Sequence, residues 1–370
     1  MTLLNSLIFL IISSFITPKV ISIKIECFSP ETQNDCLKNE MLVEGAGLMS
    51  VCPACVGGLS KGKNCETESC APGLICKKRT ASSPKTCLAE TSGCFRTRHI
   101  SDSITLLPFC DPNDSFAAVQ CKGDKVTGRC FCSTDEGEKI FGWDWWRNAD
   151  DMTCACSRWR HKLEEDGYSG AFLHCEQNGN YEELQCTTKF CWCADPKTGA
   201  LKTGTRIVPK ALWKHLPCYD KFEFGDSYQR QCESTNYMAS ILIDQYKARG
   251  TTEVMLRNTV CDYDGSYGSH VITNGLVYCL WRDGSRIDPY SAVLSELSTI
   301  DCSCARDKIA FQYAGIEFTA SCNASGAYRS VQQENDKFYC ADKDGYAASP
   351  PLEWATDEEC EGYFWYADDD

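Results

Sequence analysis

The chain has 370 residues, 28 of them cysteine, and its 37 basic and 51 acidic side chains leave a net charge of -14. Cysteine at that density points to small crosslinked modules in an oxidising compartment rather than to one large core. The acidity excludes nucleic acid and anionic membrane surfaces as partners, since both select basic patches.

Leu3 to Ile16 form an apolar run followed by Thr17, Pro18 and Lys19. The run is too short to span a bilayer and reads as a secretory signal over residues 1–22, cleaved after Ser22. No other stretch approaches 18 apolar residues, so the expected product is soluble, secreted and extracellular, with no membrane segment.

Residues 23–91 form a separate knot, with turn formers such as Gly57-Gly58 and Ser83-Pro84 among eight cysteines from Cys27 to Cys87. Cys52-Pro53-Ala54-Cys55 has the spacing of a zinc half-site. No histidine precedes His99 and the cysteines are even in number, so disulfides are expected and no metal. Cys52-Pro53-Ala54-Cys55, Gly62, Cys65 and Cys70-Ala71-Pro72-Gly73-Leu74-Ile75-Cys76 resemble the amino-terminal domain of the insulin-like growth factor binding proteins. The family's Cys-Ala-x-Gly-Leu-x-Cys is matched in full, while its upstream Gly-Cys-Gly-Cys-Cys cluster is missing. That resemblance implies an insulin-like peptide as a partner.

A repeat organises the rest. Four residues after Cys175 comes Gly179-Asn180-Tyr181, fourteen after that glycine comes Cys193, and Asp195 and Gly199 follow. The same ruler fits Cys261 (Gly265-Ser266-Tyr267, Cys279, Asp283-Gly284) and Cys322 (Gly326-Ala327-Tyr328, Cys340, Asp342, Gly345). With four residues inserted before Cys130-Phe131-Cys132 it also fits Cys110 (Asp114-Ser115-Phe116, Gln120-Cys121). Self-similarity of this kind marks a tandem array. The units are residues 94–154, 156–218, 232–302 and 304–360, with a linker at 219–231 and an acidic tail at 361–370 ending in Asp368-Asp369-Asp370.

The first two units hold six cysteines each: Cys94, Cys110, Cys121, Cys130, Cys132 and Cys154, then Cys156, Cys175, Cys186, Cys191, Cys193 and Cys218. The last two hold four each: Cys232, Cys261, Cys279 and Cys302, then Cys304, Cys322, Cys340 and Cys360. Cys186 and Cys191 align with Ile272 and Val277 in the third unit and with Gln333 and Phe338 in the fourth. Joint loss, twice, marks these two as bonded partners, which removes most of the 15 connectivities open to six cysteines.

With its Gln185-Cys186, Cys191-Trp192-Cys193 and Gly-x-Tyr, the block over roughly 94–360 resembles the thyroglobulin type-1 repeat. The resemblance implies pairing of first with second, third with fourth and fifth with sixth cysteine, four-cysteine variants lacking the middle bridge, and Trp192 buried against its flanking bridges. The expected fold class is small disulfide-rich modules in tandem, each a short helix plus a small β-hairpin sheet. Between the first two cysteines, Trp159, Lys162 and Leu163 in the second unit and Met238, Ile241, Leu242 and Tyr246 in the third fall at helical spacing, with Gly250 as a stop for the longer helix. Alternation after Gly-x-Tyr predicts the hairpin. Cys154-Ala155-Cys156 and Cys302-Ser303-Cys304 leave one residue between units, against thirteen from Tyr219 to Gln231, so two tight pairs on an exposed hinge are expected.

Nothing reads as an active site. His99, His161, His174, His215 and His270 are dispersed, every cysteine has a partner available, and no cofactor is expected. Asn113-Asp114-Ser115 and Asn323-Ala324-Ser325 are glycosylation sequons. Phe141-Gly142-Trp143-Asp144-Trp145-Trp146 cannot turn every indole inward on one strand; some of that surface is either exposed or buried against a neighbouring unit. Some thyroglobulin type-1 repeats, the thyropins, inhibit papain-like cysteine proteases with a wedge of three loops, and others only bind or build. On the second unit the resemblance places those loops at Tyr168-Ser169-Gly170-Ala171, Thr187-Thr188-Lys189 and Pro196-Lys197-Thr198. The expected function is inhibition of a papain-type protease; the alternative is an extracellular binding or spacer protein, with an insulin-like peptide held by the amino-terminal knot.

Overall fold

The computed structural model describes residues 40–43, 52, 54–78, 83–89, 93–100, 107–111, 113–168, 173–225, 228–251, 259–297 and 300–364. The expected leader, residues 1–22, and residues 365–370 of the tail lie outside them. The chain forms two compact bodies, Met1–Ser101 with Leu107–Phe116, and Asp102–Leu106 with Ala117–Asp370.

In the first body, β1 (Glu40–Val43) pairs antiparallel with β2 (Ala54–Gly57), and β3 (Leu74–Lys78) with β4 (Lys85–Ala89). Bridges Cys65–Cys76 and Cys70–Cys87 enclose a small core of Ala71 and Leu74. Helix α1 (Cys94–Ile100), with the bridge Cys94–Cys110, belongs here too. Its Phe95 is buried against Gly73, where an added Cβ would stand 2.4 Å from Phe95 Cβ. The compact division therefore falls after Phe116 rather than at the expected boundary near residue 91, because the opening helix of the first unit packs on the knot.

In the second body each unit builds one small antiparallel sheet. These are β5 (Val119–Lys122), β6 (Arg129–Ser133) and β7 (Lys139–Trp145) in the first unit. The second unit has α2 (Ala155–Glu165), β8 (Leu184–Cys186), β9 (Phe190–Cys193) and β10 (Val208–Pro209). Helix α3 (Lys221–Phe224) precedes the third unit, which holds α4 (Gln231–Ala248), β11 (His270–Thr273), β12 (Leu276–Leu280) and β13 (Arg286–Val293). The fourth holds α5 (Ser303–Ala314), β14 (Val331–Glu334), β15 (Lys337–Cys340) and α6 (Asp357–Phe364).

The bridges run within units: Cys121–Cys130, Cys132–Cys154, Cys156–Cys175, Cys186–Cys191, Cys193–Cys218, Cys232–Cys261, Cys279–Cys302, Cys304–Cys322 and Cys340–Cys360. Cys121–Cys130 and Cys186–Cys191 tie directly opposed residues of a hairpin, with Cα atoms 4.0 Å apart. Ile272 faces Val277 and Gln333 faces Phe338 in the same register, so side-chain pairs stand where the bridges are lost. Val277 is fully buried while Ile272 is exposed.

The repeat's glycines are explained by close approach. A Cβ on Gly179 would lie 2.4 Å from Cys132 Sγ, and one on Gly326 2.7 Å from Cys279 Sγ, so each glycine rests on the last bridge of the preceding unit. Cys156 N and Ala305 N donate to the carbonyls of Gly179 and Gly326 at 3.1 and 3.0 Å, which locks the one-residue joints. At the long joint Gly265 meets the side chain of Arg230 instead. Gly199 and Gly345 lie against the rings of Tyr181 and Tyr328, so the tyrosine of Gly-x-Tyr and the later glycine form one packing unit.

Two expectations fail here for physical reasons. The 219–231 connection is not an open hinge: Phe224 and Tyr228 are buried with Leu184, Trp213 and Leu216 in the core of the second unit, and Tyr228 Oη accepts from Cys186 N at 3.0 Å. Helix α4 forms where the spacing placed it and ends just before Gly250; its Met238, Leu242 and Tyr246 are exposed, because helical spacing groups apolar residues on a face without supplying a cover. Trp192 is half-buried, since strand alternation turns it away from the side of Cys191 and Cys193.

Nor are the units two separate pairs. On β7, Phe141 packs on Tyr263 of the third unit with ring centroids 5.2 Å apart, and Trp145 packs edge-on against Phe311 of the fourth at 5.0 Å. Between them, Trp143 N donates to Gln177 O of the second unit at 2.9 Å. The aromatic strand thus packs against neighbouring units, with Trp145 buried and Phe141 and Trp143 half-buried. Arg129, 2% exposed, pairs with Asp307 and donates to Tyr346 Oη at 3.0 Å and Asp344 O at 3.1 Å.

Beside it Lys122 Nζ lies 2.6 Å from both Asp342 and Asp344, and Lys139 pairs with Asp344. Burial pushes the Asp344 carboxyl up, but Lys139 and Lys122 outweigh it and hold the group well below the usual carboxylate range. A depressed carboxyl contributes stability that is full above its unfolded value, about 3.9, and is lost as pH falls through the folded value. Asp344→Asn is expected to cost about 2 kcal/mol at neutral pH. In denaturant titrations its deficit against the wild type should narrow below about pH 4; a deficit that is constant with pH would refute the assignment.

Candidate functional site

The second unit presents one rigid protrusion, the tip of β8 and β9. Cys186–Cys191 closes it, and Thr187 organises it: Thr187 N donates to Phe190 O at 2.7 Å, while Thr187 Oγ1 accepts from Phe190 N at 3.0 Å. Thr188, Lys189 and Phe190 face solvent, Phe190 being 49% exposed. Behind the tip, β10 pairs Pro209 with Phe190, and Lys210 N donates to Lys189 O at 2.8 Å. Exposed Ile207 leads into β10 and exposed Leu212 follows it.

The other two expected loops lie elsewhere. Pro196-Lys197-Thr198 is organised by Asp195, whose Oδ1 accepts from Lys197 N, Thr198 N and Thr198 Oγ1 at 3.1, 2.9 and 2.9 Å. Those hydrogen bonds, led by the Thr198 hydroxyl, hold the Asp195 carboxyl below its ordinary value. This loop sits beyond the opposite end of β9 from the tip and leans on the preceding unit, with Thr153 Oγ1 donating to Lys197 O at 3.2 Å and Lys197 Nζ 3.3 Å from Asp151. Of the first loop, Tyr168 is exposed after the end of α2, and Ser169, Gly170 and Ala171 fall outside the described residues. The structure therefore sets Thr187-Thr188-Lys189 apart from Pro196-Lys197-Thr198. Sequence reasoning missed Phe190, although strand alternation from the inward Cys191 and Cys193 already turned it outward.

At both sequons the serine hydroxyl donates to its asparagine: Ser115 Oγ to Asn113 Oδ1 and Ser325 Oγ to Asn323 Oδ1, each at 2.8 Å. The sulfurs of Cys65, Cys70 and Cys87 lie within 4.8 Å of one another, but all three belong to the bridges above, so no thiolate is available to a metal. Cys52 and Cys55 are disulfide-bonded as well.

The model of the thyroglobulin type-1 repeat matches residues 77–154 and 156–213. The chain carries thyroglobulin type-1 repeats. Their match covers the first unit and the second as far as residue 213, short of Cys218, and begins at residue 77 within the amino-terminal knot. Thyroglobulin from Rattus norvegicus is 20% identical over 322 residues, 69% of this chain and 11% of that protein. U20-hexatoxin-Hi1a from Hadronyche infensa is 29% identical over 100 residues, 26% of this chain and 65% of the toxin. Human thyroglobulin is 25% identical over 173 residues, covering 43% of this chain and 6% of thyroglobulin. The chain thus spans a small part of the thyroglobulins and less than two thirds of the toxin. Thyroglobulin type-1 repeats dense in disulfides suit an extracellular protein, and no helix among the described residues is long and apolar enough to cross a membrane.

Proposed function

We propose that the chain is a secreted inhibitor of papain-type cysteine proteases that acts through the Cys186–Cys191 tip of its second thyroglobulin type-1 repeat. The observation that carries this reading is the bridged, hydrogen-bonded protrusion that ends in exposed Thr188, Lys189 and Phe190. A loop closed by five residues of chain loses little freedom on binding, so an apolar contact at its end is retained as affinity. Binding rather than catalysis is the business of such a module, and contacts concentrate on loops held by a rigid scaffold.

The test is titration of papain and a cathepsin L-type enzyme with the full secreted chain. Phe190→Asp should raise the inhibition constant at least about tenfold, since burying an unpaired carboxylate costs well over 1.4 kcal/mol. Val126→Asp, at an exposed site in the first unit, should leave inhibition unchanged. Absence of inhibition by the unaltered chain would favour the spacer or peptide-binding alternative.

A further inference from the structure

The fourth unit carries an open groove of about 490 Å³ lined by Lys308, Phe318, Arg329, Val331, Gln333 and Phe338. Its meaning comes from the second unit, where the same face is covered. Gln332 and Gln185 fix the alignment, because they make the same three bonds. Gln332 accepts from Ser321 N and donates to Ser321 O and Arg329 O, while Gln185 accepts from His174 N and donates to His174 O and Glu182 O. Ser321 therefore corresponds to His174, Arg329 to Glu182, Val331 to Leu184 and Gln333 to Cys186.

In the second unit this face is a docking site for the chain's own segment from Tyr228 to Glu233. The Tyr228 ring stacks on His174 at 4.0 Å, and its hydroxyl lies between Cys186 N at 3.0 Å and Leu184 O at 3.3 Å. Two residues on, Arg230 donates to Cys175 O at 3.1 Å and approaches Glu182 to 3.9 Å. Arg230 is also held by Glu233 at 2.8 Å and Glu182 by His174 Nδ1 at 2.8 Å, so the segment sets an aromatic residue on the strand edge and, two residues later, a cation near Glu182.

In the fourth unit the strand edge persists, Ser321 stands where the His174 ring was, and the charge beside it is reversed. Glu182 becomes Arg329, which is exposed and whose side chain makes one hydrogen bond among the described residues, from Nε to Cys322 O at 3.5 Å. Lys308 is exposed on the same groove, and neither cation joins an ion pair among the described residues. The shared register directs Gln333 N–H and Val331 C=O away from β15, as Cys186 N–H and Leu184 C=O are directed to Tyr228. Phe318 and Phe338 supply apolar walls. In a chain of net charge -14, two cations left facing a concave surface are set for an anion.

We propose that this groove binds an extended acidic peptide of a partner protein, with an aromatic side chain on the β14 edge and, two residues later, a carboxylate on Arg329. Arginine's planar fork suits a carboxylate, and Lys308 adds a second positive charge.

The experiment uses the full secreted chain and two fluorescent probes, Ser-Tyr-Gln-Asp-Gln and Ser-Tyr-Gln-Arg-Gln, read by anisotropy. The acidic probe should bind saturably, weaken with added salt, and lose at least about tenfold in affinity in Arg329→Glu, the loss of one charge-assisted contact. The basic probe should bind Arg329→Glu better than the unaltered chain. Both substituted side chains are exposed, and Lys308→Glu serves as a second variant with the same expected direction. No saturable binding, or binding indifferent to both variants, would overturn the proposal. So would binding that emerges only after residues 365–370 are deleted, since the groove would then serve the chain's own acidic tail.

Discussion

Arg129→Ala will destabilise the second body by about 3–5 kcal/mol, the cost of removing one partner from a buried ion pair. The guanidinium is nearly inaccessible, and its removal strands Asp307, which is 14% exposed, beside Tyr346 and the Asp344 carbonyl. It also empties a space framed by aromatic faces, with the Phe131, Phe311 and Tyr346 ring centroids 5.2, 5.6 and 5.5 Å from the guanidinium carbon. The loss should appear as a fall in the denaturant midpoint together with new proteolytic sites in the fourth unit. Arg129→Ala with Asp307→Asn should recover part of the loss, because the uncompensated charge is then gone. A loss below about 1 kcal/mol, the range of an exposed pair, would show that the first and fourth units do not close on each other as described.

Tyr228→Ala should cost about 3–5 kcal/mol as well, as large-to-small substitutions of buried aromatic residues do. It deletes the stack on His174, the hydrogen bond from Cys186 N and an edge-on contact with Trp213 at 6.1 Å. Limited proteolysis gives the sharper readout. In the unaltered chain the connection from Tyr219 to Gln231 should resist cleavage, since Phe224 and Tyr228 bury it in the core of the second unit. In Tyr228→Ala it should become an early site. Early cleavage there in both proteins would restore the open hinge that thirteen unbridged residues first suggested. Tyr228→Phe, which keeps the ring and loses the hydroxyl, separates packing from the hydrogen bond and should cost about 1 kcal/mol.

Local pattern was enough for the modules. Alternation after Gly-x-Tyr located the hairpins, and the joint loss of two cysteines found the cross-strand position, because Cys186 faces Cys191 as Ile272 faces Val277. What escaped the pattern is every feature made by residues far apart in the chain. Arg129 begins an ordinary strand, and nothing in its neighbours announces Asp307 or Tyr346. Tyr228 lies in a stretch whose lack of cysteines resembled a linker, although one aromatic ring was enough to fasten it. Trp192 shows the limit of the resemblance: it was expected in the core, and strand alternation leaves it half-buried, while helix α4 forms where Met238, Ile241, Leu242 and Tyr246 placed it. At the tip, Thr187-Thr188-Lys189 was placed by the family resemblance, whereas its separation from Pro196-Lys197-Thr198 follows from which end of β9 each loop occupies.

Strand β7 touches the second, third and fourth units in turn, through Trp143, Phe141 and Trp145. An open string of repeats gains or loses a member at the cost of one joint, so its copy number drifts freely. Here the excision of any later unit would expose an aromatic or a backbone donor on β7, for the fourth unit on a strand more than a hundred residues away from the scar, and an inserted unit would push Phe311 out of reach of Trp145. Four is therefore a locked number for this chain, and shuffling its repeats as interchangeable cassettes should yield proteins that aggregate rather than proteins with altered reach.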